Sequence, residues 1–172
     1  MADFPGAVAS FAFTPAAGKG VPYDDYLKVH DEIIAVETEL LAAFTAVAFN
    51  AANFTAGGTQ TWTVQSGDQT TYAYKKTGKF FRLMVELLGT TIGGTPDPVL
   101  RIAVPGGFTI AKTTRALIMI RNNAGAFTTG ILRAGDGDTY LGVYRDLTAT
   151  ANWANGTDNN DVLGQIFFET TT

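Results

Sequence analysis

From Phe49 onward the chain is cut at short intervals by turn chemistry, and that punctuation constrains the fold more than any other feature. The breaks are Ser66-Gly67-Asp68, Thr77-Gly78, Gly93-Gly94-Thr95-Pro96, Pro105-Gly106-Gly107, Asn122 to Gly125, Gly135-Asp136-Gly137-Asp138 and Asn155-Gly156. Gly admits positive φ, Pro presets φ, and Asn and Asp bond their own backbone, so such clusters end helices and strands alike. Between them lie short runs rich in β-branched and aromatic residues. These predict strands over Thr59–Gln65, Thr70–Lys75, Lys79–Leu87, Pro98–Val104, Arg115–Arg121, Thr128–Arg133, Tyr140–Arg145 and Gln165–Thr170. Trp62/Val64, Tyr72/Tyr74 and Leu141/Val143 alternate with period two. No repeat and no strand–helix alternation interrupts the pattern. It predicts a mainly β fold: an antiparallel, jelly-roll-like β-sandwich over residues 48–172. Ala149 to Asp161 reads as a long loop, the most irregular and polar of the chain, with Trp153 inside it.

The N-terminal quarter obeys other rules. Residues 1–22 carry Pro5, Gly6, Pro15, Gly18 and Gly20, which forbid a long helix, with Phe4, Phe11 and Phe13 among them. Three rings are too many for a solvated tail, so the segment reads as an extended arm. The rings are buried either on a partner or on the arm's own domain. Gly18-Lys19-Gly20 is no phosphate loop, because Val21-Pro22 follows where a Ser or Thr and a helix are needed. Residues 23–47 predict a helix over Asp24 to Ala46, with Asp24 and Asp25 as capping acids. Tyr26, Val29, Ile33, Val36 and Leu40 recur at spacings of three and four, as in an oligomerisation seam. Leu27, Ile34 and Leu41 form a second stripe beside it. Together they make an apolar arc wide enough for two neighbours, as in a trimer, or for one sister helix plus the arm. Six acids and one base, a net of −5, flank that arc, and in a parallel assembly Glu32, Glu37 and Glu39 face like charges. The helix assists assembly without driving it.

Composition narrows the chemistry. Apolar residues make up 46% of the 172, enough for a core. With 12 bases against 16 acids, no cationic excess exists to hold a phosphate backbone, so nucleic acid is not an expected partner. The absence of Cys removes disulfides, thiol catalysis and cysteine-ligated metals. No apolar stretch approaches the ~18–20 residues of a membrane helix, and Asp3 and Pro5 spoil a signal peptide. His30, the lone histidine, lies within the apolar arc and reads as a buried or interfacial residue. Gly135-Asp136-Gly137-Asp138 lacks the later ligands of a calcium loop and reads as a tight turn. No cofactor, metal or catalytic set is expected. Asn152, Trp153 and Asn155 form a candidate ligand-binding loop, since an aromatic face with amides suits a pyranose. The favoured reading is that Trp153 plugs the end of the sandwich.

Two stretches carry a resemblance. The opening FPGAV at Phe4 to Val8, followed by HDEIIAVETELL at His30 to Leu41, resembles the N-terminal segment of bacteriophage virion proteins of the small tail-fibre, appendage and head-decoration kind. YKKTGKFFRLMVELLGTTIGGTPDPVLRIAVPGG, Tyr74 to Gly107, resembles the strand pattern of jelly-roll head domains on phage fibres, and GQIFFET resembles their last strand. The resemblance implies a virion structural protein, assembled in the host cytoplasm and usually a homotrimer. Phe4, Pro5, Phe11 and Phe13 would then attach to a capsid or tail protein, and the β domain would face outward, with a host-surface glycan as a candidate ligand. The alternative is a stand-alone carbohydrate-binding β-sandwich, which leaves Met1 to Ala46 without a purpose.

Overall fold

The computed structural model describes residues 27, 28, 30–34 and 43–171. The chain divides into two compact units, Met1–Leu41 and Ala42–Thr172. In the first, the described residues are helical, and Leu27, Ile33 and Ile34, from both apolar stripes, are exposed. His30 is not buried: its side chain is 43% exposed, with Nδ1 3.7 Å from Asp31 Oδ1.

The second unit is mainly β. Its strands are β1 (Thr45–Ala46), β2 (Phe54–Ala56), β3 (Thr61–Thr63), β4 (Gln69–Thr77), β5 (Phe80–Gly93), β6 (Leu100–Ala103), β7 (Thr114–Arg121), β8 (Thr128–Ala134), β9 (Tyr140–Tyr144) and β10 (Gly156–Glu169). Every pairing is antiparallel, in the order β1-β4-β5-β10-β7-β8-β9-β6-β2, with β3 also against β5. Strands β6 to β9 form a Greek key, because β6 lies beside β9 rather than β7. The sheet curls until its ends meet. Phe54 on terminal β2 packs edge-on against Trp62 of β3, centroids 5.6 Å apart, and 5.7 Å from Tyr72 of β4. The result is a β-sandwich-like body around one core.

Alternation decides what enters that core. Along β5, Phe81, Leu83, Val85 and Leu87 are buried while Arg82, Met84 and Glu86 face out. Each such burial contributes about 1.5–3 kcal/mol. The periodicity predicts helix through Ala46, but Thr45 and Ala46 pair with Tyr74 and Ala73, and the Val47 N–H donates to Tyr72 O at 2.8 Å. Thr45 and Val47 are β-branched and suit the free edge of β4 better than a helix end. Thr45 and Ala46 thus belong to the second unit, which begins at Ala42.

The Tyr72 hydroxyl donates across the core to Ala103 O. Burial pushes its pKa well above the ordinary tyrosine value. A raised folded pKa means that this contribution is whole below the unfolded value of about 10 and is lost as pH rises through the folded one. Tyr72→Phe is expected to cost about 1 kcal/mol at neutral pH. The deficit should narrow above about pH 10, because the parent alone carries the cost of keeping Tyr72 protonated there. Urea midpoints of both proteins from neutral to alkaline pH check this.

Candidate functional site at the loop end of the sandwich

The loop end is organised by a feature with no apolar period. β10 begins at Gly156, inside the stretch predicted to be loop, as Gly-Thr-Asp-Asn-Asn-Asp. Polar side chains replace apolar ones as its anchors. Asn160 is fully buried. Its amide nitrogen donates to Thr90 O, Gly156 O and Asn159 Oδ1 at 3.0–3.1 Å. Its Oδ1 accepts from Asn122 Nδ2 at 2.7 Å and from the Asn123 N–H at 2.8 Å. Asp161, 2% exposed, pairs with Arg121 at 2.6 Å and also accepts the Gly89 N–H at 2.8 Å. Gly89 takes φ 71° there and lets β5 continue past the register shift opposite Asn160 and Val162.

Asn122 extends the network to the β9–β10 loop. It donates to Ala154 O at 3.0 Å, and its Oδ1 accepts from the Ala154 N–H and from Arg145 Nη1. Arg145 donates as well to Asn152 O at 2.6 Å. Four non-glycine residues at this end, Asn123, Ala124, Ala149 and Asp158, hold φ of 51–58°. Left-handed alanines cost energy and persist only where the surroundings over-determine them, which this network does.

Trp153 is the plug. It is fully buried, its indole N–H reaches Val143 O at 3.3 Å, its backbone N–H donates to Asp97 O, and its carbonyl accepts from Gln60 Nε2. A buried ring presents no face to a sugar, so Asn152, Trp153 and Asn155 do not form a pyranose platform. Asn152 and Asn155 are exposed, and Asn155 Nδ2 ties the loop to Gly94 O at 2.9 Å.

What does open to solvent is a cleft beside the plug, of about 500 Å³, lined by Ile120, Asn122, Thr128, Arg145, Asp146 and Leu147. The Thr148 hydroxyl, with the N–H groups of Thr150 and Ala151, holds the Asp146 carboxyl below the usual carboxylate range. This carboxylate therefore keeps its loop contacts until pH falls below that range. Neither Arg145 nor Asn122 stood out in the sequence. The signal was the density of Asn and Asp at 122–123 and 158–161, which does not say that the two stretches meet.

A second surface lies on the outer face of β5, β10 and β7. Phe80 (68% exposed), Leu117 (70%), Met119 (54%) and Phe167 (57%) stand there in water. The Arg82 guanidinium lies over the rings of Phe44 and Phe167, 5.1 and 4.9 Å from their centroids. β7 and β10 pair only from Asp161 to Leu163 against Met119 to Arg121. A shallow groove of about 630 Å³ runs along this surface, lined by Met84, Leu117, Met119, Leu163 and Gln165.

Of the predicted oligomerisation residues, Ile33 is exposed on the helix. Tyr26, Val29, Val36 and Leu40 lie outside the described residues, as do Phe4, Pro5, Phe11 and Phe13 of the arm. Asp136 is exposed in its turn, and among the described residues no three His or acidic side chains gather as a metal site would require. The chain matches no protein-family model, no curated protein and no solved structure.

Proposed function

We propose that the chain is a structural component of a bacteriophage particle: a trimeric fibre, appendage or decoration protein, anchored by residues 1–22 and exposing its β domain. The observation that carries this reading is the apolar band of Phe80, Leu117, Met119 and Phe167. Four large side chains on one outer face gain nothing in an isolated domain, whereas sister domains side by side would cover them. The exposed Leu27, Ile33 and Ile34 of the helix support the same assembly. The loop-end cleft, held rigid by its network, is then the surface available to a host glycan. The stand-alone carbohydrate module loses its aromatic platform with Trp153 buried.

Two experiments test the reading. Leu117→Glu with Met119→Lys should reduce the assembly to monomer while leaving the β domain folded, because both side chains are already more than half exposed. Sedimentation with circular dichroism measures both properties. Deleting residues 1–22 should leave the melting temperature within a few degrees of the parent and abolish incorporation into particles. A large fall in melting temperature would place the arm in its own domain's core. Undiminished incorporation would put attachment elsewhere.

A further inference from the structure

A row of charge starts on β7, two residues from Leu117 of the apolar band, and runs away from the band across β8 and β9 to β6. Arg101 on β6 is paired with Gly142 on β9, Gly142 with Arg133 on β8, and Arg133 with Arg115 on β7. Residues directly opposed across a ladder point to the same side, so three guanidinium groups share one face, where like charges repel. Among the described residues neither the Arg115 nor the Arg133 side chain has a hydrogen bond or ion pair. Arg101 is held in place by its guanidinium over the Tyr140 ring, 5.0 Å from the centroid, and by a long contact of 3.4 Å to Ala56 O.

Between Arg101 and Arg133 the floor is low. A Cβ on Gly142 would sit 2.9 Å from a ring carbon of Tyr144 and 3.1 Å from its hydroxyl, so only glycine lets that ring lie across the row. The outcome is a hollow of about 70 Å³ walled by Val99, Arg101, Arg133, Asp138, Tyr140 and Tyr144. Asp138 forms no ion pair with either arginine. The Nε atoms of Arg101 and Arg133 are buried without a hydrogen-bond acceptor. Each such buried donor left unsatisfied costs free energy.

We propose that this hollow binds one oxyanion group, a carboxylate or a phosphate, free or carried on a saccharide. Two guanidiniums offer forked donors to such a group, and the hollow has room for the charged head but not for a sugar ring. The site is independent of the assembly proposed above.

The test uses the full chain, titrated separately with inorganic phosphate, sodium glucuronate and uncharged glucose, with the arginine Nε–H signals followed by NMR. Phosphate or glucuronate should shift the Arg101 and Arg133 signals saturably, and glucose should not. Tighter binding of glucuronate identifies a sugar-borne acid, and tighter binding of phosphate a phosphoryl group. Arg133→Ala should weaken binding about 10-fold or more, whereas Lys79→Ala, an equal loss of charge elsewhere, should not. Asp138→Asn should tighten it. The Arg133 side chain has no hydrogen bond or ion pair to lose, so its variant should lose only the packing of its stem and melt within a few degrees of the parent without anion. Arg101→Lys, which keeps the charge but not the fork, is the second variant. Absence of a saturable shift with both anions, or equal weakening by Lys79→Ala, overturns the proposal.

Discussion

Trp153→Ala is expected to lower the unfolding free energy by about 3–5 kcal/mol, the range for truncating a large buried aromatic. The ring is fully enclosed, and the indole N–H, the backbone N–H and the carbonyl all bond other segments of the chain. Truncation empties the end of the core and leaves Val143 O without its donor. The neighbouring Asn152→Ala should change stability by less than about 0.5 kcal/mol, because Arg145 uses only its backbone carbonyl. Urea unfolding of both variants separates the two roles of this loop. If Trp153 were a ligand platform, its loss would leave stability intact.

Asn160→Ala should cost about 3–4 kcal/mol. The side chain makes five hydrogen bonds, and several of its partners are left in a buried site without replacement, at roughly 1–3 kcal/mol for each group that water cannot reach. The loss should spread to the left-handed residues that the network holds. The Asn123 amide, at an exposed residue, is bonded to Asn160 Oδ1 and should lose its protection from hydrogen exchange first. Asn160→Asp keeps the acceptor oxygens and loses the donors, so it should retain that protection while destabilising the contacts to Thr90 and Gly156. Equal effects of the two variants would mean that the network is not organised around this side chain.

These two residues mark where sequence reading succeeds and where it stops. The eight predicted strands all lie on observed ones, because alternation and turn chemistry are local signals. The strands that escaped prediction are those without an apolar period of their own. β2 is three residues long, β1 two, and the first half of β10 is Asn, Asp and Thr anchored through side chains. Helix periodicity misled at Thr45 and Ala46, where the free edge of β4 decides the conformation. Trp153 shows the same limit in the site. An aromatic flanked by Asn residues looks identical in sequence whether it faces a sugar or the core. The contacts that bury it come from Gln60, Asp97 and Val143, spread over more than eighty residues of chain. The arginine row is likewise a product of register, since nothing local relates Arg101, Arg115 and Arg133.

Multi-angle light scattering on the purified chain, over a wide concentration range, tests the central claim most directly. Assembly through the apolar band and the helix predicts a particle of three times the 18.3 kDa chain mass, reduced to one chain by Leu117→Glu with Met119→Lys. A monomer of 18.3 kDa at every concentration would contradict it, and would leave Phe80, Leu117, Met119 and Phe167 uncovered by sister domains.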